Sequence, residues 1–238
     1  MIHNFKQMKQ ILFLFLVFPL LAVSQQDTAP SFSHKKIVLS PFANLKVYSG
    51  IAIDLVRAKG DSLIIESEAP DEVVSVLKAN TLKLRLGLEY LLQKSQTKIT
   101  VYHSQPLDYI DLSQGAQMSS PKTIKQTSLS LILQEGSKCT LSLDLEKLSA
   151  KVQSGAKFFP KGMAKNVIIN TSSGAACEAD QLIAEQADVK ASLGGIVYVN
   201  ATELVDAKAS LNGTIRVHGE PKKLVSKESV GGKVIEMK

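Results

Sequence analysis

Lysines, acids and an aromatic–arginine pair recur along this chain at one common step, and they are the residues from which chemistry could be built. Lys190, Lys208 and Lys227 lie 18 and 19 residues apart, with Lys151 two steps further back. Brought into register, their ammonium groups would form an anion-recognition stripe for acidic glycan, lipid headgroup or phosphate. The plainer reading is a solvated face whose lysines discourage association. Exposed charges about 4.8 Å apart repel by only about 1 kcal/mol in water, so the chain tolerates such a ladder without a ligand. Asp188 and Asp206 stand two residues before Lys190 and Lys208. Carboxylates about 5 Å apart are the apparatus of a retaining glycosidase, yet no aromatic platform adjoins this pair and lysines flank it. Tyr198 and Arg216 are again 18 residues apart and, with Phe159, form a candidate contact patch.

Other chemistry is sparse. His34, His103 and His218 show no metal-ligand spacing. No nucleophile elbow, phosphate loop or zinc motif occurs. The residues therefore assign no catalytic group, no metal and no cofactor.

The elements that must position these side chains announce themselves as a repeat. "KASLGGIVYV" at Lys190–Val199 returns as "KASLNGTIRV" at Lys208–Val217. Aligned on a four-residue corner, seven versions appear: "SQGA" at Ser113, "QEGS" at Gln134, "QSGA" at Gln153, "SSGA" at Ser172, "SLGG" at Ser192, "SLNG" at Ser210 and "SVGG" at Ser229. Their third position is always Gly or Asn, the residues that tolerate positive φ, and their fourth is always small. Around the corners run apolar columns at period 2. One reads Met118, Cys139, Phe158, Cys177, Val197, Ile215, Val234; another reads Ile110, Leu131, Ala150, Ile169, Val189, Ala207, Ser226. Stacked coils bury such columns on one another. The pattern predicts an all-β fold, a right-handed parallel β-helix of about 19 residues per coil. The lysine column falls between two apolar columns and points outward. Cys139 and Cys177 share one column two coils apart, about 9.6 Å at strand spacing, beyond the roughly 7 Å that a disulfide spans; both are expected as buried free thiols.

Residues 32–105 are β-rich but less regular. "KIVLS", "LKVYSGIAIDLVRA", "SLIIESE", "TLKLRLGL" and "TKITVYH" read as strands, and "PDEVVSVL" as a short helix with Asp71 and Glu72 at its start. These strands are expected to cap and extend regular coils over 106–238, so that 25–238 form a single domain. Residues 1–24 read as a signal peptide: basic Lys6 and Lys9, an apolar run from Ile11 to Val23, and small Ala22 and Ser24 before the cut. That run is too short to span a bilayer comfortably, and no second one follows, so no integral membrane segment is expected after cleavage. Removing Lys6 and Lys9 leaves 26 basic residues against 22 acidic, a charge of +4. Such mild basicity, without any Trp, argues against nucleic acid.

"FANLKVYSGIAIDLVRAKGDSLIIESE", the recurrent "SGA" corners and "GTIRVHGEPKKLVSKESVGGKVI" resemble the head GIN domain family of auto-transporter adhesins, over about Phe42–Met237. The resemblance implies a β-helical body and a periplasmic, cell-surface or extracellular location, and brings no catalytic residues. The combined expectation is an exported, non-enzymatic, adhesin-like module binding a glycan or other envelope polymer through Lys151, Lys190, Lys208, Lys227, Tyr198 and Arg216. The alternatives are a polysaccharide-active enzyme using Asp188 and Asp206, and a structural envelope protein that self-associates.

Overall fold

The computed structural model describes residues 33–88 and 97–237; the expected signal peptide lies outside them. Among the described residues seventeen strands join in one continuous sheet that coils on itself as a parallel β-solenoid of about 19 residues per turn. Strands β11 (Lys138–Val152), β12 (Lys157–Thr171), β13 (Ala176–Ala191) and β14 (Ile196–Ser210) each supply one coil and stack in sequence order. They are flanked by β10 (Ile124–Leu133) on one side and by β15 (Thr214–His218), β16 (Lys223–Ser229) and β17 (Lys233–Glu236) on the other. Alternation of inward and outward residues breaks at adjacent exposed pairs, Glu146–Lys147, Lys165–Asn166 and Glu185–Gln186. There the strand bends around the core instead of running straight.

The predicted columns are in register. Met118, Cys139, Phe158, Cys177, Val197, Ile215 and Val234 are successive cross-strand partners. Cys139 and Cys177 are fully buried free thiols on either side of Phe158, and burial pushes both thiols up.

Each corner is closed by a hydrogen bond from its fourth N–H to its first carbonyl, as in Ala156 to Gln153 at 3.2 Å and Gly213 to Ser210 at 2.8 Å. The left-handed backbone expected at the third position extends to the second: Ser154 and Gly155 have φ of 53° and 73°, Leu211 and Asn212 of 47° and 60°. Two successive positive φ values are the mark of a type I′ turn.

The N-terminal strands depart from the prediction in two ways. "LKVYSGIAIDLVRA" is two strands, β2 (Asn44–Val47) and β3 (Ala52–Arg57), around an eighth corner at Tyr48–Ile51, with Ser49 and Gly50 at φ of 63° and 69°. This coil lies parallel between β8 (Tyr109–Leu112) with β9 (Gln117–Ser119) on one side and β6 (Thr81–Leu86) with β7 (Lys98–His103) on the other. The first corner in sequence is thus not the end of the stack. Secondly, the short helix is a single 3-10 turn at Pro70–Glu72 followed by strand β5 (Val73–Lys78). β-Branched Val73, Val74 and Val76 favour the extended form. Fully buried Glu72 pins the turn, accepting from Ser67 Oγ at 2.8 Å and from Thr97 Oγ1. Antiparallel β5 covers β6, while β4 (Ser62–Ser67) covers β7 and pairs with β1 (Ser33–Val38). This is the cap.

Candidate functional site

The strand half preceding each corner carries the lysine ladder. Asp111, Ile132, Lys151, Asn170, Lys190, Lys208 and Lys227 are successive partners across seven strands. The column continues from Asp111 to Lys46 and then to Lys83, two members that sequence reading missed. In sequence 65 residues separate Lys46 from Asp111, where the regular step is near 19. A signal was present: Lys46 stands two residues before its corner at Tyr48, as Lys190 does before Ser192.

The ladder is charged unevenly. Lys208 Nζ lies 2.7 Å from Asp206 Oδ2, and this bond raises the lysine's pKa and holds it protonated. At the N-terminal end Asp111, largely buried, lies 3.3 Å from Lys46 Nζ and accepts from Tyr109 Oη at 3.2 Å. Burial, together with the Asp111 charge, pushes the Tyr109 phenol up to about 12. Among the described residues Lys151, Lys190 and Lys227 form no ion pair and are exposed. These unpaired cations recur at every second coil, about 9.6 Å apart, a spacing that suits a polyanion running along the solenoid axis.

Asp188 and Asp206 are direct partners, as the repeat predicts, and with Lys147, Asn166 and Gln186 line a shallow groove of about 480 Å³. Lys208 engages Asp206, while Asp188 Oδ1 is buried without a hydrogen bond.

Tyr198 and Arg216 are also direct partners, but they lie on the strand half after the corner, in a separate strand stack from the ladder. Arg216 Nη1 donates to Tyr198 Oη at 3.2 Å, with its guanidinium 5.1 Å from the ring centroid, and His218 stacks on the same ring at 6.2 Å. The tyrosine is therefore engaged within the fold. Phe159 likewise sits under Lys138 Nζ at 5.5 Å. Among the described residues no cluster of His, Cys, Asp and Glu could hold a metal ion, and no helix is long and apolar enough to cross a membrane.

Known structures share this architecture. A "putative adhesin" from Bacteroides fragilis superposes with a TM-score of 0.78 at 17% identity, covering 87% of this chain and 97% of its own. "Putative adhesins" from Parabacteroides distasonis and Parabacteroides merdae give 0.73 at 16% and 0.67 at 15%, again over 87% of this chain, with 97% and 96% of theirs covered. At these identities the likeness speaks for the fold. No curated protein sequence shows significant similarity. The model of the family described as "Putative auto-transporter adhesin, head GIN domain" matches residues 41–221, and with most of its length so matched the chain belongs to the head GIN domain family.

Proposed function

We propose that this chain is an exported, non-catalytic, adhesin-like binding module whose lysine ladder takes up an acidic glycan or another anionic envelope polymer. The observation that carries the reading is the register of Lys190, Lys208 and Lys227 on three consecutive coils, with the outer two free of ion pairs. The family description and the adhesin names of the structural neighbours support the class of function. The apolar leader with its small-residue cleavage site supports export, to the periplasm or the cell surface. Asp188 and Asp206 act in this reading as counter-charges of the ladder, because Lys208 already bridges to Asp206.

Sedimentation of the chain without its leader, with envelope polysaccharides and sacculi at low and high salt, tests the proposal. Binding that weakens as salt rises, and that is lost in a Lys190/Lys208/Lys227→Glu variant, supports it. Absence of binding in both proteins sinks it and turns the solenoid into a structural element that assembles with itself. Release of new reducing ends from any polymer would instead favour the Asp188–Asp206 enzyme.

A further inference from the structure

We infer that the corner edge of the last three coils is a contact site for an anionic lipid bilayer, formed by Leu193, Leu211 and Val230 and flanked by Lys190, Lys208 and Lys227. The second position of each corner projects outward at the turn tip. In the earlier coils it is polar: Gln114, Glu135, Ser154 and Ser173. In the last three it becomes Leu193, Leu211 and Val230, which are 55%, 44% and 72% exposed.

Two costs fall on these same positions. A large aliphatic side chain gains nothing in water, and each of the three holds a left-handed backbone, at φ of 49°, 47° and 47°. That conformation suits Gly and Asn, and for a β-branched valine it is an outlier. Strain and exposed apolar surface coinciding on one row of a repeat point to an interaction site. Consecutive corners are stacked through backbone bonds, Gly194 N–H to Leu211 O and Asn212 N–H to Val230 O, both at 3.1 Å. The three tips therefore form a row about 10 Å long at strand spacing.

Charge selects the occupant. The ladder runs three residues before the tips, so Lys190, Lys208 and Lys227 flank the row. Of the acids nearby, Asp206 is engaged by Lys208 and Glu228 by the Val234 N–H at 2.6 Å, which leaves the unpaired Asp188 against three lysines. A second copy docking edge to edge would set these lysines against their own equivalents. An anionic bilayer satisfies both features, since the aliphatic tips enter the acyl boundary while the ammonium groups meet lipid phosphates. The site shares its lysines with the polymer-binding face, but the aliphatic row is separate from it.

Cosedimentation with vesicles tests this, using phosphatidylcholine alone and phosphatidylcholine mixed with phosphatidylglycerol. The informative variant is Leu193→Asn/Leu211→Asn/Val230→Asn, because Asn tolerates positive φ and so preserves the corners; the single variant Val230→Asn should raise Tm. The natural protein should bind the anionic vesicles selectively. The triple variant should lose that binding by about tenfold or more, as removal of immersed methylene groups requires, while still sedimenting with whatever polymer the natural protein binds. Lysine-to-glutamate substitution should abolish vesicle binding. The inference is overturned if the anionic vesicles stay bare, if the Asn variant binds them as well as the natural protein, or if the three side chains support only dimerisation in sedimentation velocity. Loss of polymer binding with vesicle binding intact would count against the polymer reading alone.

Discussion

The two ends of the solenoid meet the same physical problem in opposite ways. A stacked coil leaves an edge of unpaired N–H and C=O groups and a face of apolar core, both liable to recruit another chain. At the N-terminal end antiparallel β4 and β5 cover β7 and β6, so that Leu82, Leu84, Ile99 and Val101 of the outermost coil are fully buried. At the C-terminal end no element among the described residues covers β16 and β17. There the core column gives way to exposed Ser226, Leu224 and Val234 are only partly buried, and Lys223, Lys227, Glu228, Lys233 and Glu236 charge the edge. One end is protected by added structure, the other by charge. The charged end retains accessible surface, and it is there that the unpaired Lys190 and Lys227 and the aliphatic corner tips lie.

Substitutions along one core column would break this contrast or sharpen it. Phe158→Ala, in the sealed interior, should cost about 3–5 kcal/mol by urea denaturation, because the fully buried ring is held between Cys139 and Cys177. Val234→Ala, same column but open end, should cost about 1 kcal/mol. Equal losses would mean that something covers the C-terminal coil in solution.

A smaller effect separates the corners. A Cβ on Gly213 would lie 2.2 Å from Ala191 O, whereas Ala175 occupies the equivalent place two coils earlier. Gly213→Ala should therefore destabilise by about 1–3 kcal/mol. Ala175→Gly should cost only about 0.5–1 kcal/mol, the entropic penalty of glycine.

The smallest effect is on reactivity alone. Cys139 and Cys177, buried and with raised pKa, hold less thiolate at pH 8 than an ordinary cysteine. Alkylation should be far slower in the native protein than in denaturant. Native rates like those in denaturant would show that the middle of the solenoid opens readily in the folded protein.

Much of the site is legible in the order of the residues. The ladder, the Asp188–Asp206 pair, the Tyr198–Arg216 pair and the shared column of the two thiols all follow from counting residues from each corner. Counting succeeds because the corner admits only Gly or Asn at its third position and the strands alternate with period 2. It fails where local pattern is degenerate. The β5 segment reads as helical because acids at Asp71 and Glu72 resemble a helix start, while the choice is made by the buried contacts of Glu72 and the neighbouring strand β6.

By itself, then, the sequence determined the coil length, the corner chemistry, the contents of each column and the free state of both cysteines, since all depend on residues within one or two steps of the repeat. Only the tertiary structure decided that β2 and β3 lie between coils distant in sequence, that Lys46 and Lys83 extend the ladder, that Tyr198 is held by Arg216 and His218, and that Leu193, Leu211 and Val230 stand exposed in a row. An alternating strand offers the same hydrogen-bonding edges to a parallel or an antiparallel neighbour, near or far along the chain. Which edges meet is settled by the packing of the whole stack.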